Sequence, residues 1–276
     1  MEIIGSDMLY AEVLEKGAYV RNIYFDGKCI LKESTDGEQT HGGMQLLIPY
    51  ADRVQKATYY FSGKRYHLPR NSSLEGDIHN SIHGILREKI CKVKERKTNK
   101  ITFETDIVDT GMPSKLKVLV TYEAGESFFD TKIRVINAGK HLVPVVVGAH
   151  PYFLIRGKCT INHTDPIEKL YYPDGVFPDG SLVHAELNSF ADLSTQTIDD
   201  SFHGGGALSL KSDYSHIMLT RTNMNYFEVY NGTYARPNSI ALEPMTGAIN
   251  AFNNNIGLKV LPRDKSLVCS FRIDIL

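Results

Sequence analysis

Apolar and polar residues alternate with a period of two along many short stretches of this chain, while helical periodicity is nearly absent. Residues 115–122 show the pattern: Leu116, Val118, Val120 and Tyr122 fall on one side of an extended chain and Lys115, Lys117 and Thr121 on the other, with Leu119 the exception. Successive side chains of a strand point to opposite faces, so such a stretch makes a half-buried strand. The same reading predicts strands over 18–25, 101–105, 128–136, 143–147, 216–220, 226–230 and 267–275. Between them stand Asp26-Gly27, Asn137-Ala138-Gly139, Asp174-Gly175, Asp179-Gly180 and Asn231-Gly232, residues that supply the positive φ angles or side-chain turns of tight connections. Many short strands punctuated in this way predict an all-β protein, a large antiparallel β-sandwich with at most a few helical turns. No repeat, low-complexity tract or Pro/Gly/Ser-rich linker divides the chain, so residues 1–276 are expected to form a single domain. The polar, irregular stretch 187–206 reads as a long loop.

Composition narrows the classes of partner. With 276 residues, 42% of them hydrophobic, the chain can bury a sizeable core. Lys and Arg total 31 against 32 for Asp and Glu, a formal charge of -1, so no broad positive field invites a nucleic acid or an anionic membrane. No apolar run approaches the roughly 20 residues that cross a bilayer, and the first residues lack the basic and apolar regions of a signal peptide. A cytoplasmic location is the expectation. Cys29, Cys91, Cys159 and Cys269 lie far apart without a CxxC pair and read as buried thiols.

Four segments place ionisable groups where core packing does not call for them. In GGMQLLIPYADRV (42–54) an apolar run stops at Pro49 and is followed by Asp52 and Arg53, whose guanidinium is a fork of donors for hydroxyls or a developing oxyanion. In HNSIHGILRE (79–88) His83 precedes Gly84; His79 and His83 are four apart but lack the helix and the Glu of a zinc-binding HExxH, so no metal is expected. In GAHPYF (148–153) Pro151 forces an extended residue before it, which predicts His150 at a strand end with its ring in a cleft. In IALEPMTGAINAF (240–252) Glu243 interrupts an apolar run, and desolvation there raises a carboxyl toward the range of a general base.

In this order and spacing the four segments resemble the aldose 1-epimerase (galactose mutarotase) family. PYADRV is similar to the family's P-Y-A-N-R-I, SIHG to its His-Gly segment, GAHPYF to its H-P-Y-F, and LEPMTGAINAF to its E-P-x-T-G-x-x-N-A-F. The resemblance spans residues 42–253 and implies the galactose mutarotase-like supersandwich, with the sugar in an open cleft on one sheet. It implies His150 as general acid and Glu243 as general base, His83 and Arg53 as hydrogen-bonding partners of the sugar, Asp199 (with Asp200 adjacent) on a hydroxyl, and Tyr230 in the pocket lining. The implied reaction opens a sugar ring by proton transfer, with Glu243 ionised and His150 protonated in the productive state, and recloses it as the other anomer. It needs no cofactor, and the chain has neither GxGxxG nor a P-loop. A small sugar is the expected partner, and a monomer or homodimer the expected state.

Asp52 stands where the family has Asn, replacing a donor-acceptor amide with an acceptor. IHGILRE also resembles the H-G-x-x-R segment of hexose-6-phosphate mutarotases, which makes Arg87 and Arg70 candidates for a phosphate clamp. A non-catalytic carbohydrate-binding domain is the third reading, against which stands the presence of both His150 and Glu243. The chain has no Trp, so aromatic stacking on a sugar falls to Tyr or Phe, with Tyr50 or Tyr152 as candidates.

Overall fold

A computed structural model describes residues 1–72, 79–187 and 197–276. Among them, helix is confined to one four-residue α-helix, Ala251–Asn254, and three short 3-10 turns, and the rest of the regular structure is strand. Two large sheets carry the architecture. The smaller runs Lys92–Arg96, Lys100–Ile107, Leu116–Ala124, Phe128–Asn137, Ser266–Ile275, His216–Thr222, Ala207–Lys211, Thr160–His163. The larger runs Glu2–Gly5, Leu9–Leu14, Tyr19–Phe25, Met44–Leu47, Gly148–Leu154, Ser239–Met245, Tyr226–Tyr230, Asp199–His203, Ile167–Leu170, Leu182–Ala185, with Lys28–Cys29 added beside Tyr19–Phe25. Neighbouring strands within both sheets pair antiparallel, as the alternation predicts.

The smaller sheet buries one face. Leu116, Val118, Val120 and Tyr122 are buried at alternate positions while the residues between them are partly exposed, which is why its strands are plain in the sequence. Its inner face meets the larger sheet in one continuous core that joins Val118, Ile133 and Phe271 to Ile23, Leu46 and Leu242. The hydroxyl of Tyr122 crosses between the sheets and donates to the carbonyl of Ala18 at 2.6 Å.

The middle of the larger sheet is buried on both faces. Every residue of Met44–Leu47 and Ser239–Met245 is buried, as is all of Gly148–Leu154 except its last residue. Leu46, Ala149, Leu242, Val229 and Phe227 face the core between the sheets. Their sequence neighbours therefore point to the opposite face, where Gln45, His150, Glu243 and Glu228 line up across four adjacent strands.

Three expectations are corrected. The run 143–147 is not one strand: Val143–Val145 pairs with Lys259–Leu261, and the chain then enters the larger sheet at Gly148. His150 consequently sits inside the strand Gly148–Leu154, not at a strand end. Pro151 is accommodated because the recorded ladder to Ser239–Met245 has partners at Gly148 and from Tyr152 to Leu154, and passes over 149–151, where a proline has no N–H to give. The expected loop 187–206 contains the strand Asp199–His203, paired with Tyr226–Tyr230; part of that expectation, 188–196, lies outside the described residues. Cys91, Cys159 and Cys269 are buried free thiols, and Cys29 is half-buried. Among the described residues no helix is long and apolar enough to cross a membrane.

Ile133 is fully buried between Val120 and Cys269 of the flanking strands. Ile133→Ala should cost about 2–5 kcal/mol, the lost transfer energy plus the cavity left behind, read as a lower urea midpoint at unchanged slope.

Candidate active site

The outer face of the larger sheet forms the floor of a cleft lined by the six residues to which the aldose 1-epimerase resemblance gives a role, Arg53, His83, His150, Asp199, Tyr230 and Glu243. Strand register explains how they meet. Gly148 is opposite Met245 and Tyr152 opposite Ala241, so His150, two residues from each, falls beside Glu243. His150 Nε2 lies 3.0 Å from Glu243 Oε1, with both side chains all but excluded from solvent. The next strand places Glu228 opposite Glu243 and Tyr230 opposite Ala241, and the strand beyond it places Asp199 opposite Tyr230.

Alternation separates the two adjacent aspartates. Asp199 lines the cleft, whereas Asp200 points away and binds Lys169 at 2.6 Å. Tyr152, two residues beyond His150 on the same face, stacks its ring on the imidazole at a centroid distance of 4.4 Å. Tyr50 does not reach the cleft: it is buried against Phe252, with its hydroxyl 2.6 Å from Ser81 Oγ. Arg87 lines the cleft, but Arg70 is exposed beside a separate concavity with Arg65 and His79.

Loops supply the rest of the wall. Asp52 has a φ of 50°, in the left-handed region that Asn and Asp tolerate better than most side chains. Its carboxylate takes a hydrogen bond from Arg53 Nη1 at 3.1 Å, and its backbone carbonyl takes one from the amide of His83 at 3.0 Å. His83 (φ 60°) and Gly84 (φ 70°) turn the chain back on itself, and Gln45 Nε2 donates to the His83 carbonyl at 3.2 Å. The Ile48 carbonyl receives the amides of Ile85 and Leu86 at 2.8 and 3.1 Å, pinning this turn to the sheet. The His83 ring then stands edge-on to His150 at 5.2 Å.

Burial sets the charge state. Desolvation lowers His150 to about 3, with its own backbone carbonyl opposing the shift and the charge of His41 adding to it. Desolvation also lifts Glu243 well above the carboxylate range, helped by Asp52 and Asp199 and opposed by Arg53. His83 is held neutral by desolvation first and then by nearby positive charge. At 3.0 Å His150 and Glu243 titrate as a pair. Burial favours the state in which the pair carries one proton, because the doubly protonated and fully deprotonated states both leave a net charge in a desolvated site.

Four buried polar atoms of this floor, Gln45 Oε1, His83 Nδ1, His150 Nδ1 and Glu243 Oε2, make no hydrogen bond of ordinary geometry. Buried polar atoms are normally satisfied, by protein groups or by ordered water. Among the described residues no group of three or more His, Cys, Asp or Glu is arranged to hold a metal ion. Glu228 and Gln45 are floor residues that the sequence reading did not single out. Their signal is weak, since Glu228 alternates with Phe227 and Val229 as any surface residue of a half-buried strand would.

A one-proton imidazole–carboxyl pair among buried polar side chains equips this cleft for proton transfer. Residues 3–273 match the aldose 1-epimerase family, and the chain belongs to that family. It is 24% identical over 275 residues to the uncharacterized protein YihR of Escherichia coli, an alignment covering 93% of this chain and 87% of that protein. It is 28% identical over 171 residues to the galactose mutarotase of Mus musculus, covering 56% of this chain and 47% of the mouse protein, about half its length. Among solved structures, a galactose mutarotase-like protein from Clostridium acetobutylicum superposes with a TM-score of 0.83 at 16% identity, covering 99% of this chain and 94% of that one. The galactose 1-epimerase of Lactobacillus acidophilus superposes with a TM-score of 0.78 at 15% identity, covering 99% and 93%. These likenesses establish the galactose mutarotase-like fold.

Gly84 tests the wall. A Cβ at Gly84 would lie 2.2 Å from the Ile48 carbonyl oxygen, on backbone that cannot swing aside, at a φ that side chains rarely adopt. Gly84→Ala should lose about 1–3 kcal/mol in urea unfolding and weaken ligand binding in the cleft, because the displaced turn carries His83 with it. Unchanged stability and binding would show that the turn is not pinned as described.

Proposed function

We propose that this protein is a mutarotase of a free aldose such as glucose or galactose, with Glu243 as general base and His150 as general acid. The observation that carries the reading is the 3.0 Å contact of the two groups on the cleft floor, since a module that only binds sugar has no need of a desolvated acid–base pair. Desolvation favours carboxylic acid and neutral imidazole at rest, so ring opening draws on the less populated tautomer, carboxylate and imidazolium. Glu243 takes the proton of the O1 hydroxyl, the C1–O1 bond becomes a carbonyl, the C1–O5 bond breaks, and O5 takes the proton from His150. Rotation about C1–C2 presents the other face of the aldehyde. The pair is now carboxylic acid and neutral imidazole, which is the state ring closure requires, with Glu243 returning a proton to O1 and His150 accepting one from O5. One proton on the pair therefore serves both directions, and the starting state is restored without a cofactor.

The remaining groups fit the chemistry of a sugar. In this reading Arg53 and His83 donate to hydroxyls, Asp199 accepts from one, and Tyr230 covers the ring. The names of the relatives, galactose mutarotase and galactose 1-epimerase, agree with this substrate class. Arg87 in the cleft is the observation that favours the rival reading, a sugar 6-phosphate. Against it, Arg70 is outside the cleft, and Asp52, Asp199, Glu228 and Glu243 line it together. A cytoplasmic setting and a monomeric or dimeric state belong to the same proposal.

Glu243→Gln and His150→Asn should each slow anomerisation of the preferred sugar by roughly 100-fold or more, the usual scale for a positioned acid or base. The assay is polarimetry on freshly dissolved α-glucose, α-galactose and glucose 6-phosphate, with folding checked by circular dichroism. Folded variants with near-normal rates would refute the assignment, and turnover of the phosphate far above every free hexose would reverse the substrate.

The pH dependence follows from the burial. An ordinary Glu and His would give a bell in kcat/KM only roughly 2 pH units wide. Here the acid limb, where the pair gains a second proton, moves down with His150, and the alkaline limb, where it loses its last, moves up with Glu243. A broad plateau through neutral pH is expected; a narrow bell between the ordinary Glu and His values would contradict the desolvated pair.

A further inference from the structure

Glu228 is a second glutamate on the cleft floor, 5% exposed, with no part in the proton transfers above. It stands directly opposite Glu243 across the Tyr226–Tyr230 and Ser239–Met245 pairing, on the same face. Side chains of directly opposed residues are close neighbours, and like charges in that relation repel. The hydroxyl of Ser201 donates to Glu228 Oε2 at 3.1 Å, and the Asp199 carboxyl is close enough to share a hydrogen bond with it, which requires a proton on one of the two. Among the described residues no Lys, Arg or His nitrogen comes within ion-pairing distance of it, in contrast to Asp52, which has Arg53 at 3.1 Å, and Glu243, which has His150 at 3.0 Å.

The groups that face Glu228 are mostly acidic. Glu243 approaches from one neighbouring strand, Asp199 from the other, and Asp52 from the loop that ends in Arg53. The Tyr172 phenol is also near, sharing Ser201 with it. Three carboxyl groups, Asp52, Glu228 and Glu243, are buried here to 5% exposure or less, and the partners of two of them are accounted for. A buried carboxylate without a counter-ion is costly enough that the group takes up a proton instead.

We propose that Glu228 is a positioning residue that works as a neutral carboxylic acid, and that its neutrality is what allows Glu243 to ionise and act as base. This inference rests on the proposed mutarotase reading. Desolvation, then Asp52, Asp199 and Glu243, lift Glu228 well above the ordinary carboxyl range, in keeping with the geometry. The sign of the consequence is fixed. As pH rises and Glu228 ionises, the new negative charge opposite Glu243 makes that group hold its proton, so the base is lost before the His150–Glu243 pair gives up its last proton. The alkaline limb of the wild type therefore contains the ionisation of Glu228.

Two measurements test this. The first is the ratio of kcat/KM in Glu228→Gln to that of the wild type, followed across pH by polarimetry. Gln keeps the shape but stays neutral, so the ratio should climb with pH and the alkaline limb of the variant should move up by roughly one pH unit. A ratio that stays flat, as a purely structural role would give, overturns the proposal, as does a ratio that falls. The second needs no activity: infrared difference spectroscopy of the free protein, wild type minus Glu228→Gln, at neutral pH. A protonated-carboxyl band present in the wild type and absent from the variant is expected. If the two proteins show the same band, or the wild type shows none, Glu228 is not a neutral acid. A wild type that anomerises no sugar but shows the band would refute the mutarotase reading and leave the protonation of Glu228 standing.

Discussion

The contact between His150 and Glu243 depends on burial, and much of the fold can be understood as the means of burying it. An imidazole and a carboxyl 3.0 Å apart on an exposed surface would be a weak ion pair with ordinary titration. Taken out of water, they exchange one proton between two states of equal net charge and resist gaining or losing another. That property makes one arrangement competent for both opening and closing a ring.

Placing such a pair inside a protein requires rigid support on all sides. The two groups stand on neighbouring strands in the middle of the larger sheet, where the inner face packs on the core, the outer face is the cleft floor, and the register cannot slip by one residue without sending His150 into the hydrophobic core. The smaller sheet contributes no side chain to the cleft; its buried face packs against the inner side of the floor. Stacking of Tyr152 on His150 and the turn at His83 and Gly84, tied to the Ile48 carbonyl, restrict the imidazole from the two remaining directions. Remote packing and local chemistry are thus coupled through strand register.

How much of this can be read from residues alone varies with burial. Alternation identifies the strands of the smaller sheet because one face is wet: Leu116 to Tyr122 follow the rule apart from Leu119. It fails in the centre of the larger sheet, where IALEPM is buried throughout and 143–147 looks like a strand that in fact breaks before Gly148. It fails again at Asp199–His203, where a strand with polar residues toward a cleft looks like a loop. His150, Glu243, Arg53, His83, Asp199 and Tyr230 were legible through family resemblance, and the structure brings them to one cleft. Glu228 and Gln45 were not, because the period-two pattern does not distinguish a polar residue facing solvent from one facing a cleft. Tyr50 and Arg70 show the converse: residue type made the first a candidate and a likeness to hexose-6-phosphate mutarotases the second, and the fold turns one into the core and the other onto a separate surface.

The central claim is that His150 and Glu243 act as one unit, and the double variant Glu243→Gln/His150→Asn tests it most directly. Each proton transfer is useless without the other, so the double variant, compared with both single variants and the wild type in the same polarimetric assay, should be little slower than the slower single variant. A loss equal to the product of the two single losses would mean that the groups contribute independently, and would contradict the account.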